Sequence, residues 1–233
     1  MERYPILAAD RICRQFDGGV IIEITQARIF TQNRFLISGP SGCGKSTVLG
    51  MLSLALKPDR AQSMIFCQQD ILKLWRSGKQ DKLAALRSKY LGFVPQTAEL
   101  LPFLTLEENI ALSQKLLKKD DPKWLMQLAE RLDIVSVLKH KPNAVSVGQR
   151  QRAAIARALA HRPLLVLADE PTASVHPALA DEILKLLVET VEDTGSALVM
   201  TTHNVDIGLA YGLKEAQCHL DPKTQITRLN LNG

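Results

Sequence analysis

The sequence is poor in aromatics and cysteine and has no long apolar run. Phe, Trp and Tyr make up 5% of the 233 residues, and no block of Lys and Arg is interleaved with them. A base-stacking nucleic-acid surface is therefore not expected. Cys13, Cys43, Cys67 and Cys218 are scattered, with no CxxC pair. That argues against a disulfide framework or a zinc site and suits a reducing cytosol. No stretch approaches the length of a membrane span, and Met1-Glu2-Arg3-Tyr4-Pro5-Ile6 lacks the apolar core of a signal peptide. The expectation is a cytoplasmic protein. If it acts at a membrane, another chain supplies the spans.

What is present is ordinary for a globular chain: 46% hydrophobic and 23% charged residues, with a net charge of +5. The length fits one large domain, or a core with a subdomain. The mild positive charge leaves room for a basic face toward an acidic membrane or partner.

The chain is organised around Gly39-Pro40-Ser41-Gly42-Cys43-Gly44-Lys45-Ser46-Thr47. It follows the apolar run Phe35-Leu36-Ile37 and precedes Val48-Leu49-Gly50-Met51-Leu52, whose aliphatic residues recur at helical spacing. Strand, glycine loop and helix form the context in which G-x-x-x-x-G-K-[ST] means a phosphate cradle. Glycines admit backbone geometry closed to other residues, so successive N–H groups converge on one anion. The helix adds its unsatisfied N–H groups and the positive end of its dipole. Lys45 is placed to reach the β- and γ-phosphates, and the Ser46 hydroxyl to ligate Mg2+.

Around this loop the chain alternates. Residues 1–35 read as antiparallel β, with Val20-Ile21-Ile22-Glu23-Ile24 and Ala27-Arg28-Ile29-Phe30 as short runs after an Asp17-Gly18-Gly19 turn. Phe16 sits just ahead of that turn. Residues 64–67 look like a strand, Asp70-Ile71-Leu72 leads into a polar connection around Ser77-Gly78, and residues 82–87 look helical. Residues 90–95 read as a buried strand with Gln96 at its carboxyl end. From Thr105 to Lys139 the period is helical, with Thr105 and Glu108 as a capping box. Ser146 is placed to cap an alanine-rich helix from Gln149. Residues 164–168 form an apolar run of the kind a fully covered parallel strand requires. Pro177 opens an amphipathic helix, residues 197–200 form another buried strand, and residues 217–229 look like a weak hairpin. The alternation specifies an α/β domain.

Ligands in open parallel sheets bind at the carboxyl ends of strands. The glycine loop, Gln96, Asp169-Glu170 and His203 all share that address. If their strands lie in one sheet, they converge on one phosphate. Asp169 then occupies the position of the carboxylate that holds Mg2+ in P-loop NTPases. Glu170 is a candidate general base for the attacking water. His203 is a candidate ligand of the γ-phosphate that holds the water in line. The N-terminus of the helix after Ser146, with Gly148 for close backbone approach, is a candidate second phosphate-directed site. One γ-phosphate needs one cradle, so the second hints at nucleotide shared between protomers.

Taken in order, residues 39–47, Gln96, Ser146-Val147-Gly148-Gln149, Leu165-Val166-Leu167-Ala168-Asp169-Glu170-Pro171 and His203 resemble the nucleotide-binding subunit of an ABC transporter. They match its Walker A, Q-loop, signature, Walker B with catalytic glutamate, and switch histidine. Residues 86–96 and Leu100-Leu101-Pro102-Phe103-Leu104-Thr105 are similar to the lipoprotein-release, macrolide-export and glycolipid-exporter ATPases. The resemblance implies a RecA-like α/β core with an N-terminal antiparallel β subdomain, residues 1–96 and 148–233, and a helical subdomain near 97–147. It implies ATP and Mg2+ as cofactors and Phe16 as the adenine-stacking aromatic. Gln96 would be a further Mg2+ ligand that couples the site to an integral membrane permease. The expected partner is a second copy or a paralogous subunit in a head-to-tail dimer on the cytoplasmic face of the membrane. There each loop would face Ser146, Val147, Gly148 and Gln149 of the other chain. An ATP-driven regulatory module acting on a permease-like envelope partner stays open beside transport.

Two departures stand out. Val147 replaces the first signature glycine, which narrows the space for the opposing nucleotide. His176 stands where the family has an aspartate touching the partner's P-loop, which either alters cross-dimer signalling or is a tolerated surface change.

Overall fold

The computed structural model describes residues 4–232; Met1, Glu2 and Arg3 of the N-terminal segment lie outside it, as does Gly233. Among the described residues the strands form two sheets.

The first sheet carries the N-terminal β region. Strands β1 (Leu7–Gln15) and β2 (Ile21–Ile29) pair antiparallel across the Gly18-Gly19 turn. The two short runs expected within residues 20–30 are one strand. Burial alternates along β2 and slips by one residue at Thr25-Gln26, where both residues are half-buried. A bulge there changes the phase of the side chains, so the sequence reads as two pieces. β3 (Arg34–Ser38) leaves for the second sheet and leads through the glycine loop into α1 (Lys45–Leu52). β4 (Ser63–Phe66) returns to pair with β1 and with the two-residue β5 (Gln69–Asp70).

The polar connection falls at Ser77-Gly78 as expected, and ahead of it lies a short helix that the sequence did not suggest, α2 (Ile71–Arg76). Asp70 caps it by accepting from the Lys73 N–H, and Ile71, Leu74 and Trp75 are buried. α3 (Gln80–Tyr90) then feeds β6 (Leu91–Val94). The helical segment follows as α4 (Leu106–Leu116), which has the Thr105/Glu108 capping box, and α5 (Pro122–Arg131), capped by Asp121. α6 (Val147–Leu159) begins two residues earlier than the sequence suggests. After it come β7 (Leu165–Asp169), α7 (Pro177–Thr194), β8 (Ala197–Thr201) and α8 (Val205–Ala210). Beyond these, β9 (Lys214–Gln217) joins the second sheet, while β10 (His219–Asp221) and β11 (Ile226–Asn232) form the expected hairpin on the edge of the first.

The second sheet has the order β6-β7-β8-β3-β9, every pairing parallel. Because side chains alternate along a strand, each strand feeds two cores. Phe35, Ile37, Leu165, Leu167, Ala197 and Val199 face α1 and the first sheet. Leu36, Val166, Ala168, Leu198 and Met200 face α6 and α7. Leu106, Ile110, Trp124, Leu125 and Leu128 of the helical segment share that second core. Both faces of the sheet are covered, which is why β7 and β8 read as unbroken apolar runs.

Register places the site. Ile37 pairs with Thr201, and Thr201 with Asp169, so three strands end in one row. Val94, two residues before Gln96, pairs with Ala168 in the same tier.

Candidate nucleotide-binding and active site

The glycine loop crosses the end of β3 with Gly39 at φ +145°, Gly42 at +77° and Gly44 at +98°, values that side-chain-bearing residues rarely adopt. Gly39 and Gly44 are also sterically required. A Cβ on Gly44 would lie 2.4 Å from Ile22 Cδ1, and one on Gly39 would lie 2.9 Å from both Cys43 Sγ and Cys218 Cβ. The loop is therefore laid tightly on β2 and on the segment after β9.

Lys45 is buried at 6% exposure, its Nζ donating to the carbonyls of Gly39 at 3.0 Å and Pro40 at 3.2 Å. Its charge is held inside the loop's own curve. Ser46 is exposed at the start of α1, Thr47 is half-buried, and Pro40, Ser41 and Gly42 are exposed. Phe16 stands at the β1–β2 turn with 41% of its surface free. Cys43 lies buried against Cys218, whose thiol is pushed up to about 12 by burial and by Cys43 beside it.

Asp169 and Glu170 leave the end of β7 side by side. Glu170 has φ +46°, and its Oε1 lies 2.7 Å from His203 Nε2. Thr201 at the end of β8 joins the pair: its hydroxyl donates to Asp169 Oδ1 at 2.7 Å and accepts from the Glu170 N–H at 2.9 Å. Gln96 is exposed just past β6, its carbonyl accepting from Ser174 Oγ at 2.9 Å. The loop after Glu170 is thereby tied to Gln96. Next door, Gln151 Nε2 of α6 donates to the Pro95 carbonyl at 3.2 Å.

At the head of α6, Ser146 and Gln149 form a reciprocal capping box. Ser146 Oγ accepts from the Gln149 N–H at 3.2 Å, and Gln149 Oε1 accepts from the Ser146 N–H at 2.9 Å. Val147 is 44% exposed. A Cβ on Gly148 would meet Leu179 Cδ1 at 3.6 Å, an ordinary contact, so nothing within the protomer requires glycine there. His176 is exposed one residue ahead of α7.

Register sets the loop, Gln96, Asp169, Glu170 and His203 past the carboxyl ends of four strands of one sheet, the condition on which their convergence depends. Thr201 and Ser174 gain their place in the site only through pairing in three dimensions. Both read as ordinary hydroxyl residues in sequence, and only the pairing of β7 with β8 gives Thr201 its two partners.

A parallel sheet that ends in this glycine loop and two acids defines a P-loop nucleoside triphosphatase. The family model described as "ABC transporter" matches residues 24–173. A model described as "AAA domain, putative AbiEii toxin, Type IV TA system" matches the shorter stretch 139–209. The lipoprotein-releasing system ATP-binding protein LolD of Novosphingobium aromaticivorans is 37% identical over 212 residues, 88% of this chain and 92% of that protein. The LolD of Alcanivorax borkumensis is 35% identical over 208 residues, 86% of this chain and 89% of that protein. Among solved structures, the ATP-binding cassette MJ0796, dimeric in a post-hydrolysis state with ADP and Pi, superposes with a TM-score of 0.77 at 28% identity. That superposition covers 95% of this chain and 96% of the other. The chain belongs to the ABC transporter family, as an ATP-binding subunit that hydrolyses ATP to power transport.

Proposed function

We propose that the chain is one half of a head-to-tail ATPase dimer that drives separate permease subunits in releasing a lipidated protein or similar amphiphile from a membrane. The row Ile37, Thr201, Asp169 carries the site reading, because it sets the phosphate loop, both acids and His203 at one end of one sheet. Lys45 and the loop N–H groups neutralise the β- and γ-phosphates, and Phe16 stacks on the adenine. Ser46, Asp169 and Gln96 are oxygen donors of the type that suits Mg2+, which keeps several waters and takes few protein ligands. When bound, the ion offsets charge on the phosphates. Glu170 takes a proton from the attacking water. A new oxygen bond forms at the γ-phosphorus as the bond to the β-phosphate oxygen breaks, and ADP leaves. His203 holds Glu170 and the γ-phosphate in line.

The lid is Ser146, Val147, Gly148 and Gln149 of a second copy or a paralogue. Gly148 supports this: a helical glycine costs about 1 kcal/mol against alanine, and its own protomer offers no steric reason for it. The groove we assign to the permease lies where the chain leaves β6 past Gln96 for the helical segment. No helix among the described residues is long and apolar enough to cross a membrane; with separate permease subunits supplying the spans, the chain we propose works on the cytoplasmic face. The LolD relatives belong to lipoprotein-releasing systems, which favours a lipidated cargo.

The test is Glu170→Gln purified from membranes with ATP. It should bring down a dimer with permease chains, and hydrolysis should fall by roughly a hundredfold or more. Full hydrolysis removes Glu170 from the base role, and a monomer without membrane protein overturns the permease reading. Stimulation of ATPase by lipidated protein in the reconstituted complex supports transport, whereas control by a partner protein alone points to the regulatory module.

A further inference from the structure

The two acids at the end of β7 are joined by a residue with no assigned role. Thr201 is fully buried and pairs with Asp169 across the β7–β8 ladder. A hydroxyl has one proton to give and lone pairs to receive. Here it gives the proton to Asp169 Oδ1 at 2.7 Å and receives the Glu170 N–H at 2.9 Å.

Glu170 needs such an anchor. At φ +46° it sits in the left-handed region, which a residue with a side chain occupies only when its surroundings impose it. Its carbonyl is held by the Ala173 N–H at 3.0 Å, and its N–H by Thr201. Its carboxylate is held by His203, two residues beyond Thr201 on the same segment. The end of β8 therefore grips Glu170 at both the backbone and the carboxylate.

We propose that Thr201 is a positioning residue for hydrolysis, its hydroxyl locking the Glu170 backbone turn that aims the carboxylate while fixing the rotation of Asp169. The proposal rests on the reading of Glu170 as the base. It distinguishes a requirement for the hydroxyl from a requirement for a residue of threonine's size. Valine keeps the shape but can neither donate nor accept, and serine keeps the hydroxyl while losing a methyl group.

The experiment measures steady-state ATP hydrolysis over ATP and Mg2+ titrations for the parent, Thr201→Val, Thr201→Ser and Glu170→Gln. A displaced catalytic group costs up to roughly a hundredfold in rate. Thr201→Val should lose about ten- to a hundredfold in kcat, with its KM for ATP within about twofold of the parent. Thr201→Ser should recover to within about threefold of parental kcat. If the valine variant does not fold, Thr201→Ala is measured instead and should show the same loss of kcat. Parental kcat in the variant without a hydroxyl overturns the proposal, as does an equal loss in the serine variant. If Glu170→Gln hydrolyses ATP normally, the base reading falls and takes the proposal with it. If Glu170→Gln is inactive and Thr201→Val is fully active, the Thr201 proposal falls alone.

Discussion

His203 Nε2 lies 2.7 Å from Glu170 Oε1, joining the ends of β8 and β7 across the mouth of the site. The two partners are unequally covered: the Glu170 side chain is 16% exposed and that of His203 is 54% exposed. The imidazole thus closes the solvent side of the carboxylate and fixes its direction. His203→Ala frees the carboxylate to rotate and, if the imidazole also reaches the γ-phosphate, removes a donor there. We expect kcat to fall about ten- to a hundredfold with ATP affinity nearly unchanged. Rapid-quench turnover beside equilibrium nucleotide binding checks this, and a loss confined to binding contradicts it.

The glycines of the phosphate loop should not be equivalent. Gly39, Gly42 and Gly44 all have positive φ, but only Gly39 and Gly44 are crowded, while a Cβ on Gly42 meets nothing within 4 Å. Gly42→Ala carries conformational strain alone, about 1–2 kcal/mol. Gly39→Ala and Gly44→Ala add overpacking, about 1–3 kcal/mol more. Urea midpoints and ATP binding should rank Gly42→Ala mildest on both counts. Equal losses at the three positions contradict the packing argument.

The features that were legible in the sequence are those encoded locally. Residues 39–47 announce strand, loop and helix, the Thr105/Glu108 box marks the start of α4, and the apolar run of β7 signals a strand covered on both sides. What escaped depends on pairing between distant segments. Thr201 matters because its strand lies beside Asp169, and β9 exists because β3 offers it a parallel edge. The bulge at Thr25-Gln26 broke the alternation by which a strand is recognised. α2 is only six residues long, held by the Asp70 cap and three buried apolar side chains, too short for its period to register.

Stability should fall in alkali, with Cys67 and Cys218 contributing beside the half-buried Cys13, whose thiol burial also raises. Burial raises Cys67 from 9.0 to about 11, and burial with Cys43 alongside raises Cys218 from 9.0 to about 12. Between pH 9 and these values the unfolded chain has released protons that the folded chain keeps. The unfolded state then binds fewer protons, so the free energy of unfolding decreases as pH rises. The contribution is complete below pH 9 and is lost progressively through 11 and 12. Urea midpoints at pH 7.5 and 10 for the parent and for Cys67→Ala/Cys218→Ala should show a smaller alkaline drop in the double variant. Identical drops assign the alkaline sensitivity to other groups.

Val147 and Gly148 should separate stability from assembly in opposite directions. Both lie in the first turn of α6, whose cap is complete within the protomer. Gly148→Ala meets Leu179 Cδ1 at 3.6 Å and Ser146 Oγ at 4.0 Å, both ordinary contacts, and gains helix propensity, so the isolated chain should be as stable as the parent or up to about 1 kcal/mol more stable. If the backbone of Gly148 approaches a nucleotide held by the other protomer, the same methyl group obstructs closure. ATP-dependent dimerisation of the Glu170→Gln protein should then weaken at least tenfold when Gly148→Ala is added. Val147→Gly should move the other way. It removes an exposed β-branched side chain, costs the helix a few tenths of a kcal/mol, and opens room for the opposing phosphates. Its dimer should form at lower ATP concentration. Sedimentation with ATP in the Glu170→Gln background, beside urea melts of each variant, reads both quantities. If dimerisation simply tracks stability in the two variants, α6 is an ordinary capped helix and the opposing nucleotide does not touch it.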